Sequence, residues 1–191
     1  LAACNFTEVR LVGVVGDDFA QSDIDLLGSR EIDLAGLQVV DGGQTFRWSG
    51  EYSEDMNSRE TLSVELNVFE HFEPVLPGGY ADSAFVFLAN ASPATQLSVL
   101  EQVESPVCVM ADTMDLWIEI ARDELVELLG RIDGISLNDA EALQLSGGDV
   151  GFRPADQRGV LPADIDRVIA PGVEFLQLVR LVDIGCGDGD A

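Results

Sequence analysis

The sequence contains no lysine. Its ten basic residues are all arginines and stand against 35 acidic residues, which leaves a net charge of −25 over 191 residues. Without lysine the chain cannot form a Walker-type P-loop, the strand lysine of a protein kinase or a Schiff base with a carbonyl substrate. So large a negative charge also disfavours nucleic-acid binding, because neutralising phosphates needs dense positive charge. An anionic ligand such as a nucleotide therefore has to meet Mg²⁺ or backbone amides.

Histidine and cysteine are also scarce. His71 is the single histidine, which excludes metal sites and mechanisms built from several histidines. The three cysteines, Cys4, Cys108 and Cys186, are odd in number, lie far apart and form no Cys-x-x-Cys pair. This pattern predicts a reduced, cytoplasmic protein. No apolar run is long enough to cross a bilayer, so we expect no membrane partner.

The amino-terminal part combines one buried strand with a half-buried antiparallel element. Residues 9–15 form a short apolar run, rich in β-branched side chains, that stops at a Gly-Asp-Asp turn. This predicts a buried strand. Residues 37–40 predict another strand, and the Asp41-Gly42-Gly43 sequence after it is a hairpin signal. Because apolar and polar residues alternate in the following strands, we expect a small antiparallel element over about 37–66.

Further along, the pattern changes to apolar strands that alternate with helices. Strands are predicted at 85–89, 107–110 and 132–137, with helices between them. This alternation indicates parallel β-α-β units whose sheet is covered on both faces. Such sheets bind ligands at the carboxyl ends of their strands, and Asn90, Asp112 and Asn138 lie at three of these ends.

Six segments carry a recognisable order and spacing. They are LVGVVGDDF at 11–19, DLAGLQVVDGGQTFRWSGEY at 33–52, LNVFEHFEPVLPGGY at 66–80, VFLANASP at 86–93, MADTMDLWI at 110–118 and SLNDAEA at 136–142. Together they resemble the ribokinase/PfkB family of carbohydrate kinases. The resemblance implies a doubly wound, mostly parallel α/β sheet with a small antiparallel β lid, formed by the strands predicted over 37–66. It covers residues 1–147 as one domain and leaves 148–191 as an atypical segment, either a degenerate kinase end or a foreign tail.

The resemblance implies that the protein phosphorylates a hydroxyl group of a sugar or nucleoside with ATP and Mg²⁺, without a P-loop. In the family a Gly-rich turn offers backbone amides to the phosphates and an adjacent Asp is the base. Gly185 and Gly187 match the turn, and Asp188 matches the base. The family's Asn-x-x-Glu element matches Asn138 and Glu141, which implies nucleotide binding by both and Mg²⁺ coordination by Glu141. The same pair is also a capping-box pattern, which only satisfies amides at a helix start.

The lid and one strand end supply the candidate acceptor-binding residues. Arg47, Asn57 and Arg59 lie in or beside the predicted lid, and Asn90 follows a predicted strand. On the functional interpretation these side chains hydrogen-bond sugar hydroxyls or an acid group. On the alternative interpretation the lid residues form an exposed strand face. The resemblance implies a small-molecule sugar or nucleoside partner and is compatible with a homodimer formed through the lid.

The carboxyl-terminal segment departs from the family pattern. The signature Asp-x-x-Gly-x-Gly-Asp is one residue short between Asp183 and Gly185, and residues 148–180 lack the pattern of the expected strand and hairpin. The family's first strand and its Gly-Gly element would precede Leu1, and its closing helix would follow Ala191. We therefore expect a kinase domain that is incomplete at both ends and whose phosphoryl transfer is impaired.

Two other interpretations stay open. The tail LVDIGCGDG at 181–189 resembles the first motif of class I methyltransferases, which binds S-adenosylmethionine. The kinase-like part is also compatible with a non-catalytic sugar-binding remnant that keeps the lid but lacks phosphoryl transfer. A lone Gly-rich loop occurs in many contexts, and an acidic chain end without a function has the same composition.

Overall fold

The computed structural model describes residues 3–52, 59–147 and 174–178. Within them the chain forms eight strands and five α-helices, with 3₁₀ turns at Ala3–Asn5 and Asn67–Phe69. The strands are β1 (Glu8–Gly16), β2 (Ile32–Val40), β3 (Arg47–Tyr52), β4 (Arg59–Glu65), β5 (Phe85–Leu88), β6 (Cys108–Asp112), β7 (Gly134–Ser136) and β8 (Glu174–Leu178). The helices are α1 (Gln21–Ser29), α2 (Pro93–Leu100), α3 (Asp115–Ile120), α4 (Arg122–Leu129) and α5 (Asp139–Leu145). None of these helices is long and apolar enough to span a membrane.

Six strands form one parallel sheet in the order β2-β1-β8-β5-β6-β7. The last described strand, β8, lies in the middle of this sheet. Its residue Leu178 is opposite Val12 of β1 on one side and Leu88 of β5 on the other. In the hydrogen-bonded ladder β1 and β5 are therefore joined through β8, which connects the two halves of the sheet.

The main hydrophobic core lies against the central strands. Val12 of β1 and Leu88 of β5 are completely buried. The same core contains Phe46 from the base of the small sheet and Leu125 and Leu128 from α4. Burying an aliphatic or aromatic side chain of this size contributes about 1.5–3 kcal/mol relative to leaving it in water. The α/β fold class predicted from the alternation of strands and helices is confirmed.

Helix α2 begins where its sequence predicts. Ser92 is the N-cap, and its Oγ accepts a hydrogen bond from the Thr95 amide at 3.1 Å. Pro93 takes the first helical position, where the missing amide costs nothing because the first amides of a helix have no partner within it. The cap therefore fixes the start of α2 directly after Asn90 and the end of β5.

Strands β3 and β4 form a separate two-stranded antiparallel sheet. Trp48 lies opposite Val64 in this pair. At its base the ring of Phe46 packs edge-on against Phe69, with 5.9 Å between the ring centroids. This sheet is the predicted lid, but the predicted span of 37–66 was too long at its amino-terminal side.

The predicted hairpin at Asp41-Gly42-Gly43 is wrong. Residues 37–40 are the end of β2 and pair in parallel with β1. A turn does form, with the Gly43 amide donating to the Val40 carbonyl at 3.0 Å and Gly42 at a φ of +68°. It leads the chain out of the large sheet and into the lid. Local residues determine that the chain turns here, but tertiary contacts determine which strand it then pairs with.

The prediction that residues 148–180 lack a strand is also wrong, because β8 lies within that range. β8 is only five residues long. Its apolar residues follow a Pro-Gly pair, which is a short strand signal that the sequence analysis missed. A central strand receives hydrogen bonds from two neighbours, so its formation depends on those neighbours more than on local propensity. Sequence patterns therefore could not show that this segment completes the sheet.

Candidate functional site

Polar residues follow the carboxyl ends of the strands along one edge of the large sheet. Asp17 and Asp18 follow β1, Asn90 follows β5, Thr113 follows β6 and Asn138 follows β7. We call these five residues the polar edge. Neighbouring strands lie about 4.8 Å apart, so the ends of β1 and β6, three strand steps apart, are separated by about 14 Å. This is the edge at which open parallel sheets bind ligands.

The ends of β5 and β6 are held together by a buried glutamine. The Gln96 Nε2 donates to the Leu88 carbonyl at 2.8 Å and to the Asp112 carbonyl at 2.9 Å. Beside it, the Asn90 Oδ1 accepts a hydrogen bond from the Trp117 Nε1 at 3.0 Å. Asn90 is therefore fixed in orientation at the strand end, and its amide nitrogen does not take part in that contact.

Two buried oxygen atoms at the same place have no hydrogen-bond partner within the described part of the chain. They are the Gln96 Oε1 and the Thr113 Oγ1, in residues that are 0% and 6% exposed. Leaving a buried polar atom without a partner costs about 1–3 kcal/mol. Such atoms are therefore found where water or a ligand supplies the missing partner. Both oxygen atoms lie beside Asn90, at the carboxyl ends of β5 and β6.

Asn138 and Glu141 form a complete capping box at the start of α5. The Asn138 Oδ1 accepts from the Glu141 amide and the Glu141 Oε2 accepts from the Asn138 amide, both at 2.9 Å. Glu141 is 7% exposed. The capping interpretation of this pair is confirmed, and it uses only one of the two carboxylate oxygens of Glu141.

The chemistry of this donor set fits Mg²⁺. Mg²⁺ in phosphoryl-transfer sites keeps several waters and takes few carboxylates, the substrate phosphates supplying other ligands. The Glu141 Oε1, which the cap leaves unused, is a donor of that kind. Among the described residues there is no cluster of three or more His, Cys, Asp or Glu that would hold a metal ion by protein ligands alone.

The lid is attached to the large sheet by a compact network that sequence analysis missed. The Asp18 Oδ1 accepts hydrogen bonds from the amide and the hydroxyl of Thr45, both at 2.7 Å. The Asp18 Oδ2 accepts from the Arg47 Nη2 at 2.8 Å. The Thr45 Oγ1 in turn accepts from the Gly16 amide at 3.0 Å. We call residues 16–18 and 42–47, which make these contacts, the lid junction.

The network also affects the ionisation of Asp18. Burial raises the pKa of this carboxyl, but the hydrogen bonds from Thr45 and the positive charge of Arg47 outweigh burial and hold the pKa below its usual value. The stabilisation is therefore fully present above the ordinary pKa of an aspartate and is lost only as the pH falls through the lowered value. At neutral pH the junction contains an ionised carboxylate.

Gly16 is placed where a side chain has no room. A Cβ atom added there would lie 2.3 Å from the carbonyl oxygen of Gly43 and 2.7 Å from the Asp18 Oδ1. On the same side of the junction, the Asp17 Oδ2 accepts from the Gly42 amide at 2.9 Å. The Gly-Asp-Asp sequence after β1 thus serves to hold the lid connection, although the sequence alone indicated only a turn.

We expect Gly16→Ala to lower the free energy of unfolding by about 1–3 kcal/mol, the usual cost of forcing an extra group into a packed site. Equilibrium denaturation measures this change. The matched control is Gly28→Ala in α1, where an added Cβ meets no atom within 4 Å. Because alanine is the better helix former, the control should be neutral or stabilising by up to about 1 kcal/mol. Equal effects at both glycines would contradict the tight junction.

A surface cavity of about 470 Å³ lies beside the lid junction on the β2 side. It combines apolar side chains with amide and imidazole groups, but it contains none of the site residues predicted from the sequence. Its lining residues are Val40, Gly43, Gln44, Asn67, Val68 and His71. The cavity volume falls in the range of small-molecule sites.

The remaining predicted residues are less informative in the structure. Arg59 is the first residue of β4 and so lies in the lid sheet. Asn57, Gly185, Gly187 and Asp188 lie outside the described residues. The structure thus brings Arg47 to the polar edge, keeps Asn90 and Asn138 at that edge, and does not test the predicted phosphate turn and base.

The known proteins that this chain resembles include a cytidine kinase and two nucleoside kinases. No family model matches the sequence. A cytidine kinase of Thermococcus kodakarensis is 27% identical over 152 residues, which are 78% of this chain and 53% of the relative. Two solved structures are similar in fold. One is a nucleoside kinase of Methanocaldococcus jannaschii, described as an archaeal member of the ribokinase family, with a TM-score of 0.59 and 18% identity over 78% of this chain and 49% of that chain. The other is a nucleoside kinase of Burkholderia thailandensis in complex with inosine, with a TM-score of 0.64 and 16% identity over 76% of this chain and 48% of that chain.

These findings define a ribokinase-like α/β fold with an antiparallel lid, and they confirm the resemblance to the ribokinase/PfkB family indicated by the sequence motifs. The chain spans about half the length of the relatives that it matches. None of these three relatives is a methyltransferase, so the alternative resemblance of the tail gains no support from them.

Proposed function

We propose that this protein transfers the γ-phosphoryl group of ATP to a hydroxyl group of a small acceptor. The observation that carries the proposal is the polar edge of a ribokinase-like sheet, with the lid attached directly to it through Asp18. A lid joined to the ligand-binding edge suits an enzyme that must exclude water, because water would compete with the acceptor for the phosphoryl group.

A nucleoside is the favoured acceptor, ahead of a free sugar. The matched relative is named a cytidine kinase, and the two similar structures are named nucleoside kinases, one of them holding inosine.

Asn138, Glu141 and the Gly185–Gly187 turn are the proposed nucleotide-binding residues. Asn138 and Glu141 stand at the start of α5, where the helix dipole favours a negatively charged group. Mg²⁺ held through water on Glu141 would neutralise charge on the phosphates, which a lysine-free chain cannot do with an ammonium group. The capping hydrogen bonds keep both side chains in place for this task.

On the acceptor side, Asn90 and Arg47 are the proposed contacts. Asn90 is held by Trp117 with its amide nitrogen available, and Arg47 is held by Asp18 with further N–H groups available. Both can donate hydrogen bonds to hydroxyl oxygens. Asn57 and Arg59 remain proposed acceptor contacts from the lid.

Asp188 is the proposed base that removes the proton of the attacking hydroxyl. Its reach supports this role: β8 ends at Leu178, on the same edge as Asn90, and Asp188 follows ten residues later. Ten extended residues span up to about 33 Å, more than the distance across the strand ends. A carboxylate at that position can therefore reach the polar edge from the end of β8.

The complete capping box favours a second candidate, a non-catalytic acceptor-binding protein, because it accounts for Asn138 and Glu141 without any nucleotide. One experiment separates the two. ADP release is measured with Mg·ATP and a panel of nucleosides and sugars, in parallel with calorimetric binding of the same acceptors. We expect acceptor-dependent ADP release that is slow, because phosphoryl transfer is predicted to be impaired, and fastest with a nucleoside. Acceptor binding without any acceptor-dependent ADP release would overturn the kinase proposal and establish the second candidate.

A further inference from the structure

The ion pair of Asp18 and Arg47 places a neutralised cation at the acceptor site. Arg47 is the first residue of the lid, and its guanidinium donates to the carboxylate that follows β1. The Arg47 side chain is 43% exposed and the Asp18 side chain 24%. The pair is therefore partly exposed, so a ligand can contact it, and its two charges cancel.

The carboxylate cannot leave the guanidinium when a ligand arrives. Its other oxygen is held by the amide and hydroxyl of Thr45, a residue that is completely buried. The Thr45 hydroxyl is itself held by the Gly16 amide. Rotating Asp18 away from Arg47 would leave these buried donors without an acceptor, which is costly.

A guanidinium in this state discriminates between ligands by charge. It keeps N–H groups that can donate to the oxygen of a neutral hydroxyl. An anionic group at the same place meets the attraction of Arg47 and the repulsion of Asp18 together, inside a chain that carries a net charge of −25. The hydrogen bond is retained for a neutral acceptor, while the electrostatic gain for an anionic one is removed.

We propose that Asp18 is a specificity-determining residue: by neutralising Arg47 it makes the site select an uncharged acceptor over an anionic one. This inference rests on the proposed function and deepens it, since it names the charge class of the acceptor. Uncharged nucleosides and sugars are accepted, and sugar acids and phosphorylated sugars are rejected. The contact with Arg47 also makes Asp18 a positioning residue for the lid.

The test compares the full chain with Asp18→Asn, which preserves the size of the side chain and an oxygen for Thr45 but removes the charge. Preference is measured as the ratio of kcat/KM for ribose to that for ribonate, its anionic counterpart. We expect the wild-type ratio to exceed ten and to fall at least tenfold in the variant, through a gain with ribonate. The charge control is Asp23→Asn in the first turn of α1, which removes one negative charge outside the Asp18–Arg47 pair and should leave the ratio unchanged.

A second measurement needs no turnover. Binding of inorganic phosphate is followed by ³¹P NMR, and we expect at least a fivefold lower Kd in Asp18→Asn than in the wild type. The double variant Asp18→Asn/Arg47→Met should lose this gain, because the released cation is Arg47. The inference is overturned if Asp18→Asn gains no phosphate affinity, or if the gain persists in the double variant. If the kinetic ratio and the phosphate titration disagree, the titration decides. Absence of ADP release with every acceptor would instead overturn the proposed function, while the phosphate titration would still test Asp18.

Discussion

Replacing Leu176 with proline is expected to unfold the large sheet. Leu176 is the middle residue of β8 and lies opposite Arg10 of β1 and Val86 of β5. Proline has no amide to donate to either neighbour, and its ring is incompatible with a central strand. A buried carbonyl left without its donor costs about 1–3 kcal/mol, to which the clash of the ring adds, and the total stability of a domain is only about 5–15 kcal/mol. Since β8 joins the two halves of the sheet, the damage is not confined to an edge.

Thermal and chemical unfolding of Leu176→Pro, followed by circular dichroism, measure this effect. The matched control is Leu176→Val, which keeps the amide and has a high strand propensity, so it should unfold close to the wild type. A proline variant with the same unfolding midpoint as the valine variant would show that the central strand is not required, and would remove β8 from the sheet.

Asp188→Asn is expected to reduce the rate of phosphoryl transfer by about 10²–10⁴, the usual contribution of a general base. Asparagine has the same shape but cannot accept the proton of the attacking hydroxyl. Since the hydroxyl is a poor nucleophile until it loses that proton, the effect should appear mainly in kcat. Acceptor binding should change little, because Asp188 is not among the proposed acceptor contacts.

Radiometric phosphoryl transfer from labelled ATP gives the sensitivity needed for a slow enzyme. Asp190→Asn is the matched control, since it removes the same charge two residues further along the chain. A rate that falls equally in both variants would indicate a general electrostatic effect of the tail. An unchanged rate in Asp188→Asn would remove Asp188 from the mechanism.

Local patterns predicted the elements that depend on neighbours in the sequence. The strand at β5, the helix opened by Ser92 and Pro93, and the capping box of Asn138 and Glu141 are all present. Each of these features is satisfied within a few residues of chain, so its physics is readable from residue type and spacing. The α/β class follows from the same kind of pattern, repeated along the chain.

The lid junction shows where such prediction ends. Asp18 and Thr45 are separated by 27 residues and meet only because β1 and the lid connection end at the same edge. Neither the sequence around Asp18 nor the sequence around Thr45 predicts this contact. The hairpin predicted at residues 41–43 failed for the same reason, since the turn was identified correctly but not the strand that follows it in space.

The amino-acid sequence by itself determined the chemistry open to this protein: no lysine, a strongly negative charge, and polar residues at the ends of apolar strands. Only the tertiary structure decided that the last described strand, β8, lies at the centre of the sheet and that Asp18 holds Arg47. Composition and short-range periodicity are properties of the chain, and they survive in any fold. Strand order and charge pairing over long separations exist only after the loops have closed and the core has formed, so they cannot be read from residues that are neighbours in sequence.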